Sequence, residues 1–289
     1  MMFGKPIRPT IEISSGEIAL EAQKAAGKLS ISGVQPKLSM RLDGDRLVPV
    51  AKDGQFILKP ETQEFAELPR NEYLCMSMGK CFGLRVAPCV LLALSDGTPA
   101  YVVKRSDRVK RGRHVEKLSC EDMQQILGGP DKYAGGHEQI ARAIIEHCSF
   151  APLELQRLFE LVIFNFAIGN GDAHRKNFSL LTSGDGTTAL SPAYDLVSSR
   201  LAIPFETEEL ALTVNGKRNR LDRRDFLAFA EHISIAPDYA ERQVGKLLSL
   251  GDTFTEMIDA SPLSDTLRDR LSQILEDRLA RLQLLPDRI

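Results

Sequence analysis

The chain changes its periodicity about a third of the way along, and that change restricts its possible folds more than any other feature. Up to about residue 105, apolar residues fall in short β-like runs at 38–40, 56–59, 86–94 and 101–104. Turn signals such as Asp43-Gly44-Asp45 and Asp96-Gly97 separate them. Residues 29–40 read as strand, loop, strand. One helical stripe interrupts the run: Leu74, Met78 and Phe82 lie four apart within residues 68–82, and Gly83 is placed to stop the helix. A capping box at Ser14-Ser15-Gly16-Glu17 predicts a shorter helix over 18–26. Beyond 105 the spacing turns helical, over 121–127, 138–147, 153–168 and most of the C-terminal quarter. Leu155, Leu158, Phe159, Val162 and Phe166 form one apolar face; Leu267, Leu271, Ile274, Leu275, Leu279 and Leu282 form another. A short hairpin over 178–181 and 189–190 is the exception. The pattern predicts an α+β chain of two packed lobes, a small β-rich one over 1–105 and a larger helical one over 106–289.

Charge and cysteine usage narrow the function classes. With 37 Lys and Arg against 39 Asp and Glu, the net charge is −2. A surface committed as a whole to nucleic acid is excluded, and no direct nucleic-acid binding is expected. The 43% apolar content excludes a disordered chain. Five cysteines at irregular spacing, with no C-x-x-C, give neither a metal site nor a disulfide framework. Three of them stand in apolar surroundings and read as buried thiols of a reducing compartment. The first 18 residues lack the apolar stretch of a signal peptide, and no run of about 18 apolar residues exists to span a membrane. A cytoplasmic protein is the expectation.

Polar residues concentrate directly after the apolar helix ending near Ile168. Asp172, His174, Lys176 and Asn177 lie within six positions, and Asp195 follows after a predicted hairpin. An acid and an amide five apart on a tight loop can face one cavity, and a second acid from a neighbouring hairpin can complete a cation site. Hard oxygen ligands of this kind suit Mg²⁺. The spacing D-x-x-x-x-N is also that of the protein-kinase catalytic loop, where Asp takes the hydroxyl proton and Asn holds metal. The plainer alternative is a turn with solvated side chains.

Upstream residues fit the same chemistry. Lys59 ends an apolar strand, where an ammonium is costly without an anion, and Glu72 on the following helix could supply one. A strand Lys paired with a helix Glu is how protein kinases fix the lysine on phosphates. The plainer alternative is a snorkelling lysine and a surface glutamate. The loop from Ser30 to Lys37 contains a single glycine, Gly33, and fails G-x-G-x-x-G, yet its backbone N–H groups, two hydroxyls and Lys37 could cover phosphates. Residues 104–117 carry seven basic and two acidic side chains. They read as a solvated hairpin turning at Arg111-Gly112, or as a hinge with backbone groups for adenine followed by a basic surface. His114, His137, His147 and His232 are scattered and read as structural.

Together these stretches resemble the HipA-like kinase family of bacterial toxin–antitoxin systems. The matching segments are Ser32-Gly33-Val34-Gln35-Pro36-Lys37, Phe56-Ile57-Leu58-Lys59-Pro60, Asn71-Glu72-Tyr73, Val103-Lys104-Arg105-Ser106-Asp107-Arg108, Asn170-Gly171-Asp172-Ala173-His174-Arg175-Lys176-Asn177-Phe178, Ser191-Pro192-Ala193-Tyr194-Asp195-Leu196 and Leu212-Thr213-Val214-Asn215-Gly216-Lys217. They occur in the family's order over roughly residues 29–227. The resemblance implies a two-lobed, protein-kinase-like fold and an ATP- and Mg²⁺-dependent serine/threonine kinase. Asp172 would be the base, and Asn177 and Asp195 would bind metal. Tyr194-Asp195-Leu196 would stand in the place of D-F-G. Lys59 would hold phosphates, oriented by Glu72. Ser32, Gly33, Val34, Gln35, Pro36 and Lys37 would cover them; Lys104, Arg105 and Ser106 would line the adenine site; His174 and Lys176 would sit near the γ-phosphate.

The chain reaches its phosphate loop by residue 30, without the N-terminal subdomain of long HipA-type proteins. It therefore looks like the short HipT toxins of three-part systems. That likeness implies autophosphorylation at Ser30 and Ser32, a HipB-like DNA-binding antitoxin and a HipS-like small antitoxin as partners, and an aminoacyl-tRNA synthetase as target, tryptophanyl rather than glutamyl. A phosphoserine in that loop would repel ATP phosphates and act as an off-switch. Two other functions compete: a small-molecule phosphotransferase using the same base and metal, and a kinase-fold corepressor for a DNA-binding antitoxin.

Overall fold

Period-two alternation in the first third of the chain builds a six-stranded sheet. The computed structural model describes residues 2–4, 6–26, 35–112, 114–203 and 207–283. Contacts divide the chain into two units, one of Met1–Tyr73 with Ala87–Lys117, the other of Leu74–Val86 with Leu118–Ile289.

In the first unit the elements are β1 (Thr10–Ile11), α1 (Ser15–Ala26), β2 (Leu38–Asp43), β3 (Arg46–Pro49), β4 (Phe56–Pro60), the start of α2 (Leu68–Phe82), β5 (Cys89–Ala93) and β6 (Pro99–Lys104). The sheet order is β1-β3-β2-β4-β6-β5. Only the β1–β3 pair is parallel. Alternate residues of these strands, among them Met40, Leu47, Phe56, Leu58, Ala100 and Val102, form one core with Ile11 and Ile18. Burying each large side chain contributes about 1.5–3 kcal/mol. The expected capping box is present: Ser14 N–H donates to Glu17 Oε2 at 2.8 Å, and Glu17 N–H donates to Ser14 Oγ at 3.3 Å.

The first unit extends past the expected boundary at residue 105. β7 (Arg108–Arg111) and β8 (His114–Lys117) form the anticipated hairpin, a separate two-stranded sheet within the first unit. They follow β6 through a turn in which Asp107 accepts from both Arg105 and Arg108. From Leu74 onward α2 belongs to the second unit, because its apolar stripe packs there: the Phe82 ring stacks on Phe164 at 6.0 Å.

The second unit contains β9 (Ser119–Asp122), α3 (Met123–Leu127), α4 (His137–His147), α5 (Ala151–Ala167), a 3₁₀ turn (Arg175–Asn177), β10 (Ser179–Thr182), β11 (Thr188–Leu190), α6 (Ser199–Ala202), α7 (Arg223–His232), α8 (Pro237–Ser249), α9 (Gly251–Asp259) and α10 (Asp265–Gln283). β10 lies between β9 and β11, antiparallel to both. The helix expected from 121 begins at Met123, because Glu121 and Asp122 pair with β10 and Asp122 then caps α3 through Gln125 N–H. Helix α5 is the unit's axis. Its expected apolar face is buried, and so are Leu161, Ile163, Phe164 and the polar Glu154 and Asn165. Glu154 is satisfied there by Leu190 N–H at 3.1 Å. At its end Gly169 takes φ +68°, and a Cβ there would stand 2.8 Å from Ile274 Cγ2, so only glycine fits.

Near the C-terminus, Arg278 and Arg281 both pair with Glu209, and their guanidinium groups lie 4.8 and 5.3 Å from the Phe166 ring centroid. Burial works against the Glu209 charge, but hydrogen bonds from Arg281 and Arg278 outweigh it and hold the carboxyl at about 2.

The cysteine expectation needs correction. Cys75 is buried, Cys89 and Cys148 are half-buried, and Cys81 and Cys120 are exposed. Apolar neighbours in sequence point to other faces of a helix or strand and do not cover the thiol. Among the described residues no helix is long and apolar enough to cross a membrane.

Candidate active site

In the first unit Lys59 is placed by strand register. It lies opposite Tyr101 of β6, and its side chain turns into the interior. The ammonium stands 2.7 and 2.9 Å from the two Glu72 carboxylate oxygens and 5.5 Å from the Tyr101 ring centroid. Lys59 is 6% exposed and Glu72 3% exposed, so this is a buried ion pair, not the snorkelling lysine of the plainer reading. Such pairs gain little net stability, because desolvation offsets attraction. Gln35 Nε2 donates to the carbonyl of Pro60 at 2.9 Å, which anchors the end of the preceding loop beside Lys59 in the chain. Lys37 is exposed. Ser30, Ser32, Gly33 and Val34 lie outside the described residues. Lys104 closes β6 with its N–H on Pro88 O, Arg105 N–H bonds Gln55 O, and the Arg105 guanidinium is committed to Asp107 at 2.9–3.0 Å. Ser106 lies in the turn that follows.

In the second unit the loop after α5 is tied down at each step. Asn170 Nδ2 donates to Asn165 Oδ1 at 2.9 Å, and Gly171 N–H donates to Ser199 Oγ at 2.7 Å. Asp172 follows, half-buried, with its N–H on Asn170 Oδ1 at 3.3 Å. The 3₁₀ turn then brings Asn177 back, where its Oδ1 accepts His174 N–H at 3.0 Å and its Nδ2 donates to Asp195 Oδ2 at 3.1 Å. Asp195 holds φ +57°, a left-handed conformation costly for a residue with a side chain and frequent at functional sites. The neighbouring Tyr194 hydroxyl donates to Lys176 O at 2.7 Å and meets Ser179 Oγ at 2.6 Å, clamping the two segments together. Burial drives the Tyr194 phenol further above its ordinary range, so it stays protonated. The Lys176 side chain is exposed. His174 is buried; burial lowers its pKa, the Asp172 charge opposes this, and nearby Lys132 adds to the lowering.

Asn177 and Asp195 offer an amide and a carboxylate, both hard oxygen ligands. Among the described residues no group of three or more His, Cys, Asp or Glu could hold a metal ion without other ligands. Two protein ligands fit Mg²⁺, which completes its shell with waters and phosphate oxygens.

Two residues without a role in the sequence reading stand beside these side chains. Tyr133 donates its hydroxyl to Asp172 Oδ1 at 2.8 Å, and its ring meets His174 edge-on at 5.3 Å. Arg175, buried, reaches Gly128 O at 3.0 Å and Gln139 Oε1 at 2.8 Å, and its N–H bonds Lys132 O at 3.1 Å. It fastens the Asp172 loop to the loop carrying Tyr133. The available signal was Gly128-Gly129 and Gly135-Gly136 bracketing Asp131-Lys132-Tyr133.

Comparison with known proteins fits this geometry. A "Putative kinase" of Haemophilus influenzae is 27% identical over 97% of this chain and 90% of its own length. "Putative kinase Y4mE" of Sinorhizobium fredii is 33% identical over 83% of this chain and 58% of its own. The "Serine/threonine-protein kinase toxin HipA" of Shewanella oneidensis is 28% identical over 65% of this chain and 47% of its own. The chain thus spans most of the first relative and about half of the other two. Among solved structures, HipA of Shewanella oneidensis, in a complex with HipB and operator DNA, matches 96% of this chain and 72% of its own, with TM-score 0.72 and 21% identity. The Helicobacter pylori proinflammatory kinase CtkA matches 95% of each chain, with TM-score 0.58 and 14% identity. The α+β fold is therefore kinase-like, as expected. Residues 29–253 match the model of the HipA-like C-terminal domain, and the chain belongs to that family.

Proposed function

We propose that the protein is an ATP- and Mg²⁺-dependent serine/threonine protein kinase and the toxin of a bacterial toxin–antitoxin system. The observation that carries this reading is the hydrogen bond joining Asn177 to Asp195, five residues along from Asp172 on a loop held at every step.

Each residue takes a role its chemistry allows. Lys59, kept in place by Glu72, is the cation for the α- and β-phosphates. Gln35, Pro36 and Lys37, with Ser32, Gly33 and Val34, form the phosphate-covering loop. Lys104, Arg105 and Ser106 line the adenine site. Asp172 accepts the proton of the acceptor serine as its oxygen attacks the γ-phosphorus, and the bond to the β-phosphate oxygen breaks to release ADP. Asn177 and Asp195 would hold Mg²⁺, which supplies neutralisation of phosphate charge. His174, neutral through burial, and Lys176 stand near the transferred group. Tyr194 holds the Asp195 segment to the loop.

The chain's likeness to the short HipT toxins extends the proposal. The acceptor is an aminoacyl-tRNA synthetase, with tryptophanyl ahead of glutamyl. Ser30 and Ser32 are autophosphorylated. A HipB-like DNA-binding antitoxin and a HipS-like small antitoxin are the partners, and the cytoplasm is the location. The HipB partner is supported by the relative's structure, which contains HipB and operator DNA.

The test is transfer from γ-labelled ATP to protein in the presence of purified synthetases. Label on a synthetase band, lost in Asp172→Asn, supports the proposal. Label on small molecules alone favours a small-molecule phosphotransferase. No transfer, with antitoxin-dependent operator binding retained, favours a corepressor.

A further inference from the structure

We infer that Tyr133 is a positioning residue for phosphoryl transfer: its hydroxyl fixes the Asp172 carboxylate so that Oδ2 receives the acceptor proton. The inference rests on the reading of Asp172 as base.

A carboxylate on a loop can rotate about its last torsion, and a base that rotates spends little time aligned. Tyr133 removes that freedom by donating to Oδ1 at 2.8 Å. Among the described residues no other hydrogen bond reaches the Asp172 side chain, so Oδ2 keeps its lone pairs for the acceptor. The tyrosine is itself immobilised on all sides. Its N–H bonds Asp131 Oδ1 at 2.9 Å, and its carbonyl accepts from the Arg218 guanidinium at 2.5 Å. The preceding carbonyl accepts Arg175 N–H at 3.1 Å, and Gly135 O accepts Thr213 N–H at 3.2 Å. His174 packs on the ring edge at 5.3 Å, and the Lys132 ammonium lies 4.7 Å from the ring centroid. Ordering is thus in place before substrate arrives, which is what makes a positioned base effective. The same tethering argues against Tyr133 as a phosphate acceptor, since phosphotyrosine would set a second negative group against Asp172 with no freedom to withdraw.

The experiment compares wild type, Tyr133→Phe, Tyr133→Ala and Asp172→Asn in steady-state transfer assays, with melting curves and phosphopeptide mass spectrometry. Tyr133→Phe keeps the ring packing and removes only the hydroxyl. The expected result is a fall in kcat of about ten- to a hundredfold with KM for ATP within about twofold of wild type, the scale of cost for a misplaced group. Tyr133→Ala falls at least as far. Wild-type kcat in Tyr133→Phe, with Asp172→Asn inactive, overturns the inference and leaves the base assignment standing. Phosphate found on Tyr133 also overturns it. Wild-type transfer by Asp172→Asn removes the base assignment and the inference together.

Discussion

Asn177 donates a hydrogen bond to Asp195 across 3.1 Å, bridging a sequence separation of 18 residues. The bond joins the end of the 3₁₀ turn to a residue held at φ +57°. Both residues are half-buried. On the proposed reading, these two side chains supply the oxygen ligands for a cation.

Asp195→Asn keeps the shape and removes the charge. Transfer is expected to fall at least about a hundredfold, the loss of one strong transition-state interaction, and the Mg²⁺ concentration for half-maximal activity is expected to rise. Titration of rate against Mg²⁺ checks this. An unchanged Mg²⁺ dependence would remove Asp195 from the metal site.

Lys59 and Glu72 allow stability to be separated from function. Lys59→Met leaves a buried carboxylate without its partner, expected to cost about 3–5 kcal/mol. Adding Glu72→Leu should recover most of that in denaturant melts, because an apolar pair fits a buried site. Transfer should stay abolished in both. Activity in the double variant would show that Lys59 serves only the fold.

His137 predicts acid sensitivity. It is fully buried, its Nδ1 faces Thr213 O at 3.1 Å, and burial lowers its pKa from 6.5 to about 4. A carbonyl only accepts, so Nδ1 carries the proton of the neutral ring. On acidification the unfolded chain takes up a further proton first. The stabilisation is complete above about pH 6.5 and is lost progressively towards pH 4, in total on the order of 3 kcal/mol. The melting temperature should therefore fall across that window, and His137→Gln should flatten the slope. An identical slope in the variant would assign the acid sensitivity elsewhere.

Some of this was legible along the chain and some was not. The α2 stripe, the Ser14–Glu17 cap and the hairpin between β10 and β11 depend on neighbours within a few residues, so local spacing sufficed. The Asp172–Asn177 loop was visible because polar residues crowd where an apolar helix stops. The roles of Tyr133 and Arg175 were not visible, since they lie in partners 36 to 47 residues away. The start of α3 shifted because strand pairing with β10 claimed Glu121 and Asp122. The cysteines show the same limit: three were expected to be buried, but only Cys75 is, and Cys89 and Cys148 are half-buried, because sequence neighbours are not spatial cover.

Intact-mass and peptide mass spectrometry of phosphatase-treated protein, before and after incubation with ATP and Mg²⁺, tests the central claim most directly. Wild type is expected to gain phosphate on the peptide containing Ser30 and Ser32, and Asp172→Asn is expected to gain none. Equal phosphate on both proteins, or none on wild type even with a synthetase present, would contradict the account.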